Sequence, residues 1–206
     1  MNRRTRARMG TAAAGAVLAL AALQGSGAGA QTVAADVSSP ADVSSSPATV
    51  CHGTRPKGSL PDLGFPDDTP LQRTLNHVDK IAYGRFAEKF TSMAVDEEDS
   101  SADVYRIPSA SFDAAVCGIA EKGVTLRLHD TDINEEGLTA IVDRISEDMG
   151  RWDGTFQLRE VGHDGRGHVH IGVDDPETAE PILRKAFGER IARYLRVDYT
   201  PQAELK

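Results

Sequence analysis

Three histidines clustered in the segment HDGRGHVH offer the best spacing for chemistry in this sequence. A four-residue turn between two strands would place His163 across from His168, and His170 follows two positions later on the same side of the pleat. Three imidazoles on one solvated face are compatible with zinc, copper or nickel, and equally with no ligand. Because no cysteine or carboxylate is clearly placed as a further ligand, we expect no metal or cofactor, and these histidines are the candidates if a metal binds.

Acidic residues cluster in two places where the carboxylate pair of a glycosidase can be imagined. Residues 96–99 are four consecutive acids in a predicted hairpin turn, and Asp174 and Asp175 precede a predicted helix. Backbone donors favour carboxylates in turns, and the helix dipole favours them at helix starts. We therefore interpret both clusters as structural.

Motifs for nucleophilic and metal-dependent hydrolysis are absent from the sequence. It contains no G-x-S-x-G elbow, no Walker motif and no H-E-x-x-H spacing. We therefore predict that the protein is not an enzyme, and a small extracellular enzyme of an unrecognised type is the alternative.

The composition describes an ordinary globular chain with one main folded region. Its 206 residues are 40% apolar and 26% charged, which suits one good core and not two large domains. The formal net charge of −8 argues against nucleic acid and anionic lipid as partners, because an acidic surface repels both.

The first thirty residues have the pattern of a secretory signal peptide. Four arginines, no acid and an apolar stretch over residues 12–23 precede Ala28-Gly29-Ala30. This pattern predicts cleavage after Ala30 and a secreted protein without a membrane anchor. The alternative is an uncleaved helix that holds the chain at the membrane. The mature chain would carry 19 basic and 31 acidic residues, since cleavage removes four of the 23 basic ones.

Residues 31–68 are rich in Ala, Ser, Pro and Asp, and the segment ADVSS occurs twice in them. Such a composition buries too little apolar surface to fold, so it predicts a disordered tether. The two cysteines, Cys51 in this tether and Cys117 beyond it, would meet an oxidising environment after export. They are a candidate disulfide that would stabilise the fold by about 4 kcal/mol, and two unrelated thiols are the alternative.

The folded region is predicted to span residues 69–206. Thr69 and Pro70 begin a helix whose apolar stripe ends near Phe90. Strand, strand, helix and strand then follow in two copies, at about residues 91–130 and 155–199.

Helix caps and stops organise both copies and the helix that links them. The linking helix is predicted over residues 134–150 with Asn134 as its cap, and Trp152 is expected to close its end against the sheet. Ser111 and Asp175 cap the helices of the two copies. We predict an α+β fold that resembles the ferredoxin-like arrangement, with the helices on one face of small mixed sheets.

The second copy, GHVHIGVDDPETAEPILRKAFGERIARYLRVDY, is similar to the repeating element in pro-regions of secreted bacterial serine proteases of the streptogrisin and α-lytic protease type. The shared pattern is a valine-rich strand, an Asp or Pro cap, an alanine-rich helix, a glycine and a V-x-V strand. The first copy, DVYRIPSASFDAAVCGIAEKGVTLRLHD, resembles it more loosely. The chain also resembles stand-alone secreted proteins of GC-rich bacteria.

The resemblance implies a role as a folding chaperone and inhibitor of a protease. In that family the sheet of the pro-region pairs edgewise with a protease hairpin, and its C-terminal tail occupies the active-site cleft. By this resemblance the residues Pro201, Leu205 and Lys206 would belong to a cleft-binding tail. No protease follows Lys206 in this sequence, so we expect any such action to be exerted in trans.

A non-catalytic protein-binding module is the function that we expect from the sequence. Strand addition at a sheet edge needs only backbone hydrogen bonds, so it requires no side-chain motif that could be recognised in the sequence. The expected partner is a secreted protease or a cell-envelope protein. A pro-region-like inhibitor and a small metal-binding protein are the alternatives.

Overall fold

A computed structural model describes residues 46–61, 64 and 69–203. The predicted signal peptide, the ADVSS segments and the end of the tail, including Leu205 and Lys206, lie outside the described residues. The described residues belong to one compact unit, and none of their helices has the length and apolar character needed to cross a membrane. The predicted α+β class is confirmed.

Seven strands and five helices alternate along the described part of the chain. The strands are β1 Thr49–His52, β2 Phe90–Asp96, β3 Ser101–Arg106, β4 Thr125–Asp130, β5 Leu158–His163, β6 Val169–Val173 and β7 Leu195–Tyr199. The helices are α1 Pro70–Gly84, α2 Ala110–Cys117, α3 Glu135–Ser146, α4 Pro176–Phe187 and α5 Glu189–Ala192, with a short 3₁₀ helix at Met149–Trp152.

The strands form two separate sheets. The first has the order β1-β4-β3-β2, in which β3 and β4 are parallel and the other pairs antiparallel. The second has the order β5-β6-β7, in which β5 is antiparallel and β7 parallel to β6. The set β2-β3-β4 and the set β5-β6-β7 thus share strand directions, and each has a helix before its last strand. That the two sets arose by duplication stays a prediction.

Helices cover one face of each sheet and enclose two apolar clusters. The first cluster lies among α1, α2 and the four-stranded sheet, and includes Val78, Phe112 and Leu126. The second lies among α3, α4 and the three-stranded sheet, and includes Leu138 and Ile171. Alternating strand residues point into these clusters, as the period of two requires.

Three of the predicted helix caps are present. The side chains of Thr69, Asn134 and Asp175 accept hydrogen bonds from the backbone N–H three residues later, at 3.0 to 3.2 Å. The cap predicted at Ser111 is wrong: Ser109 caps α2, because its hydroxyl accepts from the N–H of Phe112.

The predicted end of α1 near Phe90 is also wrong. The helix stops at Gly84, and the N–H groups of Lys89 and Phe90 then both bond to the carbonyl of Phe86 in a tight turn. Phe90 opens β2 instead, where its buried ring contacts Tyr83.

The tether predicted over residues 31–68 is wrong for its described C-terminal part. Strand β1 pairs with β4, and the N–H of Gly53 bonds to the carbonyl of Val124. Cys51 and Cys117 form a disulfide with Cα atoms 5.4 Å apart, which confirms the predicted bridge. A segment with little apolar character is ordered here because β4 offers it a backbone partner and the bridge holds it there.

Candidate functional site

The histidine cluster does not have the predicted arrangement. His163 pairs with Val169, and Gly162 is the residue opposite His170. Since directly opposite residues share a face, His163 lies on the face of Val169, and His170 lies on the other. The loop between the strands comprises only residues 165–167, because Asp164 faces His168 and donates its N–H to the His168 carbonyl. The prediction assumed a four-residue turn, so the register is shifted by one.

The two histidines that do share a face are already paired with carboxylates. Nδ1 of His168 lies 3.3 Å from Asp164, and its Nε2 accepts from Arg196 at 2.9 Å. Nδ1 of His170 lies 3.2 Å from Asp198. Among the residues that the structure describes, no group of three His, Cys, Asp or Glu side chains is arranged to hold a metal ion.

The acidic clusters take the structural roles expected of them. The Asp96 carboxylate accepts from the N–H of Asp99 within the β2–β3 turn. Asp174 accepts from the N–H of Gln157, and Asp175 caps α4. The carboxylates of Asp96, Asp174 and Asp175 therefore accept hydrogen bonds from backbone N–H groups.

Trp152 lies in the 3₁₀ helix after α3 and packs differently from the prediction. Its ring stacks on Phe156 at 5.6 Å between centroids and meets Phe187 of α4 edge-on at 6.0 Å. It therefore joins the end of α3 to another helix and to the strand entry. Trp152 is partly buried in this contact.

A buried arginine that sequence reasoning missed closes one end of the first sheet. Arg106 ends β3, and its guanidinium donates to both oxygens of Asp113 at 2.6 and 2.9 Å and to Asp130 at the end of β4. Parallel strands end at the same edge, which brings Arg106 and Asp130 together. The hydrogen bonds that Arg106 donates to Asp113 raise the pKa of Arg106 against the opposing effect of burial. This cluster fixes α2 onto the sheet and has no nucleophile.

A second polar cluster lies on the opposite face of the same sheet. Nε2 of His129 bonds to Asp103 at 2.8 Å, Arg127 donates to the same carboxylate at 3.0 Å, and Tyr105 stacks on the imidazole at 4.8 Å. An oriented Asp–His pair is half of a catalytic relay, which also needs a nucleophile on the other ring nitrogen. Nδ1 of His129 is buried and has no hydrogen-bond partner among the described residues. No described residue therefore completes such a relay at His129.

We expect Asp103→Asn to lower the free energy of unfolding by about 1–2 kcal/mol at neutral pH, since two charge-assisted bonds are weakened. Burial acts to raise the pKa of Asp103, but hydrogen bonds from His129 and Arg127 outweigh it and hold the pKa below its ordinary value. A carboxyl whose pKa is lowered in the folded state stabilises the fold at pH values above its ordinary pKa. That stabilisation is lost as the pH falls through the folded-state pKa. Urea unfolding from neutral pH to about pH 3 measures this, with exposed Asp143→Asn as the control. A difference from wild type that persists unchanged in acid would contradict the assignment.

Two surface cavities are lined by charges of both signs. One of about 460 Å³ lies beside the β5–β6 turn, where Arg193 pairs with Asp132 at 2.8 Å and lies over the ring of Tyr194. The other, of about 420 Å³, lies at the first turn of α1 between Lys57 and Glu97. Neither lining favours a ligand of one charge.

The outer edge of β7 has the properties that strand addition requires. The N–H of Val169 bonds to the carbonyl of Tyr194, and the N–H of Thr200 bonds to the carbonyl of Val173, both at 2.8 Å. In a parallel pair, alternate residues direct both backbone groups to the neighbouring strand. The backbone groups of Leu195, Val197 and Tyr199 therefore point away from β6, where no described strand pairs with them. Leu195 is fully buried and its carbonyl accepts from Arg196 at 3.5 Å, so the open part of this edge is at Val197 and Tyr199.

The tail leaves the sheet directly after β7. Arg159 donates to the carbonyl of Thr200, which fixes the chain at that point. Pro201–Ala203 follow in an exposed, irregular conformation. The proposed cleft-binding residue Pro201 is thus solvent-accessible, whereas Leu205 and Lys206 lie outside the described residues.

Comparison with known proteins finds no match to a family model, to a curated protein or to a solved structure. The resemblance to protease pro-regions stays a prediction.

Proposed function

We propose that this protein is an exported, non-catalytic module that binds a polypeptide by adding it as a strand to the free edge of β7. The observation that carries the proposal is the pair of accessible, outward-facing backbone positions at Val197 and Tyr199. Backbone groups left without a partner on a sheet edge are a template for another strand. The disulfide and the N-terminal pattern support action outside the cell.

Comparison of the edges favours β7 over the other strands. Both β2 and β5 have an irregular register with their neighbours, at Phe90/Ser92 and at Leu158/Glu160. Such bulges twist an edge and hinder pairing. Strand β1 has four residues, whereas β7 has five in unbroken register with β6. Tyr199, 64% exposed, adds a large ring for contact with a partner.

We expect Tyr199→Pro to abolish partner capture and Tyr199→Ala to retain most of it. Proline removes an outward N–H and leaves the bonds from β7 to β6 in place, while alanine removes only the ring. Tagged wild type and both variants are used to capture proteins from culture supernatant and envelope extract, followed by mass spectrometry. Recovery of the same proteins by Tyr199→Pro as by wild type would contradict recognition at β7.

A pro-region-like inhibitor of a secreted serine protease is the second candidate function. It is favoured by the position of Pro201–Ala203, which are exposed and directly continue a free edge strand. A protease hairpin on β7 would then lie beside a tail free to enter a cleft. The capture experiment distinguishes the two functions. Protease inhibition requires that wild type captures a serine protease and that Tyr199→Pro loses it.

A further inference from the structure

We propose that the polypeptide recognised at this edge is the β7 strand of a second copy, paired antiparallel about a twofold axis at Val197. This inference rests on the proposed function and names its partner. The two three-stranded sheets would join into one continuous sheet of six strands. The interface would be isologous, since each copy presents the same edge to the other.

The backbone of β7 is accessible for this pairing at Val197 and Tyr199, whereas Leu195 is fully buried and pairs only after the Arg196 side chain leaves the Leu195 carbonyl. Centred on Val197, the register places Leu195 opposite Tyr199 of the second copy, and Val197 opposite Val197. Each of these residues directs its N–H and C=O outward, as the bonds of β7 to β6 require. In an antiparallel pair, such opposed residues exchange both hydrogen bonds, so every outward group of the strand gains a partner.

The charges on β7 select this register from its neighbours. Arg196 would lie opposite Asp198 of the second copy, and the twofold axis repeats this pair. Moving the axis to residue 196 sets Arg196 against Arg196, and moving it to residue 198 sets Asp198 against Asp198. The second shift also brings Pro201, which has no N–H, opposite Leu195. If the axis lay between two residues, the outward backbone groups of one copy would face residues of the other copy whose backbone groups already bond to β6.

The apolar face of β7 is complementary in the same register. The partly buried Val197 would meet Val197 at the axis, and the exposed ring of Tyr199 would extend over the start of the second copy's β7, where the Leu195 side chain is already buried in its own core. Aromatic and aliphatic pairs of this kind stabilise neighbouring strands. Pairing would thus cover the most exposed large apolar side chain of the described residues.

Both charged side chains are accessible for the pairing. Arg196 is exposed, where its guanidinium contacts His168 at 2.9 Å and its own strand at the Leu195 carbonyl at 3.5 Å. The Asp198 side chain is 46% exposed and lies 3.2 Å from His170. These are surface contacts, which small side-chain rotations can exchange for a pair across the axis.

Charge reversal provides the test. We expect wild type to sediment as a dimer, and Arg196→Asp or Asp198→Arg alone to raise the dimer dissociation constant by about tenfold or more, because like charges then face each other twice. A mixture of the two single variants should restore a dimer, since each copy then presents only acids or only bases to the other. The double variant R196D/D198R should also dimerise. Sedimentation velocity over a wide concentration range measures all five samples.

Val197→Pro and circular dichroism control for misfolding. Proline at the axis removes two central hydrogen bonds and should give a folded monomer. A wild type that is monomeric at every concentration, or a dimer unaffected by both reversals, would overturn the inference. If wild type is monomeric but captures another protein that Tyr199→Pro does not capture, the proposed function stands without the dimer. If Tyr199→Pro changes no capture and no dimer forms, both fail.

Discussion

Glu121→Ala is expected to lower the free energy of unfolding by about 3–5 kcal/mol, because it removes a fully buried carboxylate that accepts hydrogen bonds from Arg73, Gly58 and Leu60. Glu121 is fully buried, and Arg73 donates to both of its oxygens, at 3.1 and 2.7 Å. The N–H of Gly58 donates to the same carboxylate at 3.0 Å, and that of Leu60 at 3.5 Å. One side chain therefore ties α1 and the segment after β1 to the turn before β4.

Urea unfolding measures the effect, and Glu88→Ala is the matched control. Glu88 is exposed, so its loss should change stability by less than about 0.5 kcal/mol. Arg73→Leu combined with Glu121→Leu should cost less than Glu121→Ala alone, since apolar side chains then replace both members of the buried ion pair. A loss below about 1 kcal/mol in Glu121→Ala would show that the ion pair does not hold the segment.

The same carboxylate gives the stability a defined pH dependence. Hydrogen bonds from Arg73 lower the pKa of Glu121 against the opposing effect of burial, and the N–H groups of Gly58 and Leu60 lower it further. A carboxyl with a lowered folded-state pKa stabilises the fold fully above its unfolded pKa. That contribution is lost as the pH falls through the folded-state pKa, so acid should release this contact.

Cys51→Ser with Cys117→Ser is expected to lower the free energy of unfolding by about 4 kcal/mol, the second large effect. The bridge spans 66 residues, and its removal frees the unfolded chain from a long closed loop. Wild type under a thiol reductant should match the double variant. Oxidised wild type provides the reference, and equal midpoints in urea for oxidised and reduced protein would contradict the prediction.

Limited proteolysis shows where the bridge acts. Without it, strand β1 is held to β4 by four residue pairs and by the Glu121 contacts beyond it. We expect the first cleavage of the double variant to fall within residues 53–61, where the chain is largely exposed. Cleavage that starts elsewhere would indicate that the bridge stabilises the fold globally and not this segment.

Local signals in the sequence sufficed wherever structure depends on neighbours within one turn of helix or strand. Thr69, Asn134 and Asp175 cap their helices because the bond joins a side chain to an N–H three residues away. Alternation at Val169, Ile171 and Val173 placed a strand for the same reason, since these residues are fully buried on one face.

The candidate sites were less accessible to sequence reasoning. Glu121 and Arg106 read as ordinary charged positions, because their partners Arg73 and Asp130 are distant in the sequence. A charged residue amid apolar neighbours, as at Glu121 after the Ile119-Ala120 pair, was the one available signal. The histidine face failed because a shift of one residue in the β5–β6 register moves every side chain to the other face.

The sequence alone determined the α+β class, the order of α1 to α4 and of β2 to β7, and the two cysteines available for a bridge, but not the short helix α5. Only the tertiary structure decided that residues 49–52 form a strand, because their backbone N–H and C=O groups have no hydrogen-bond partner until β4 supplies one. It also decided which groups of β7 face outward, since that depends on the bonds between two strands and not on the side chains of one. Pairing between distant segments depends on the whole fold, whereas helix capping and apolar periodicity depend on neighbouring residues. The sequence therefore predicts the elements, and the tertiary structure decides how they pair.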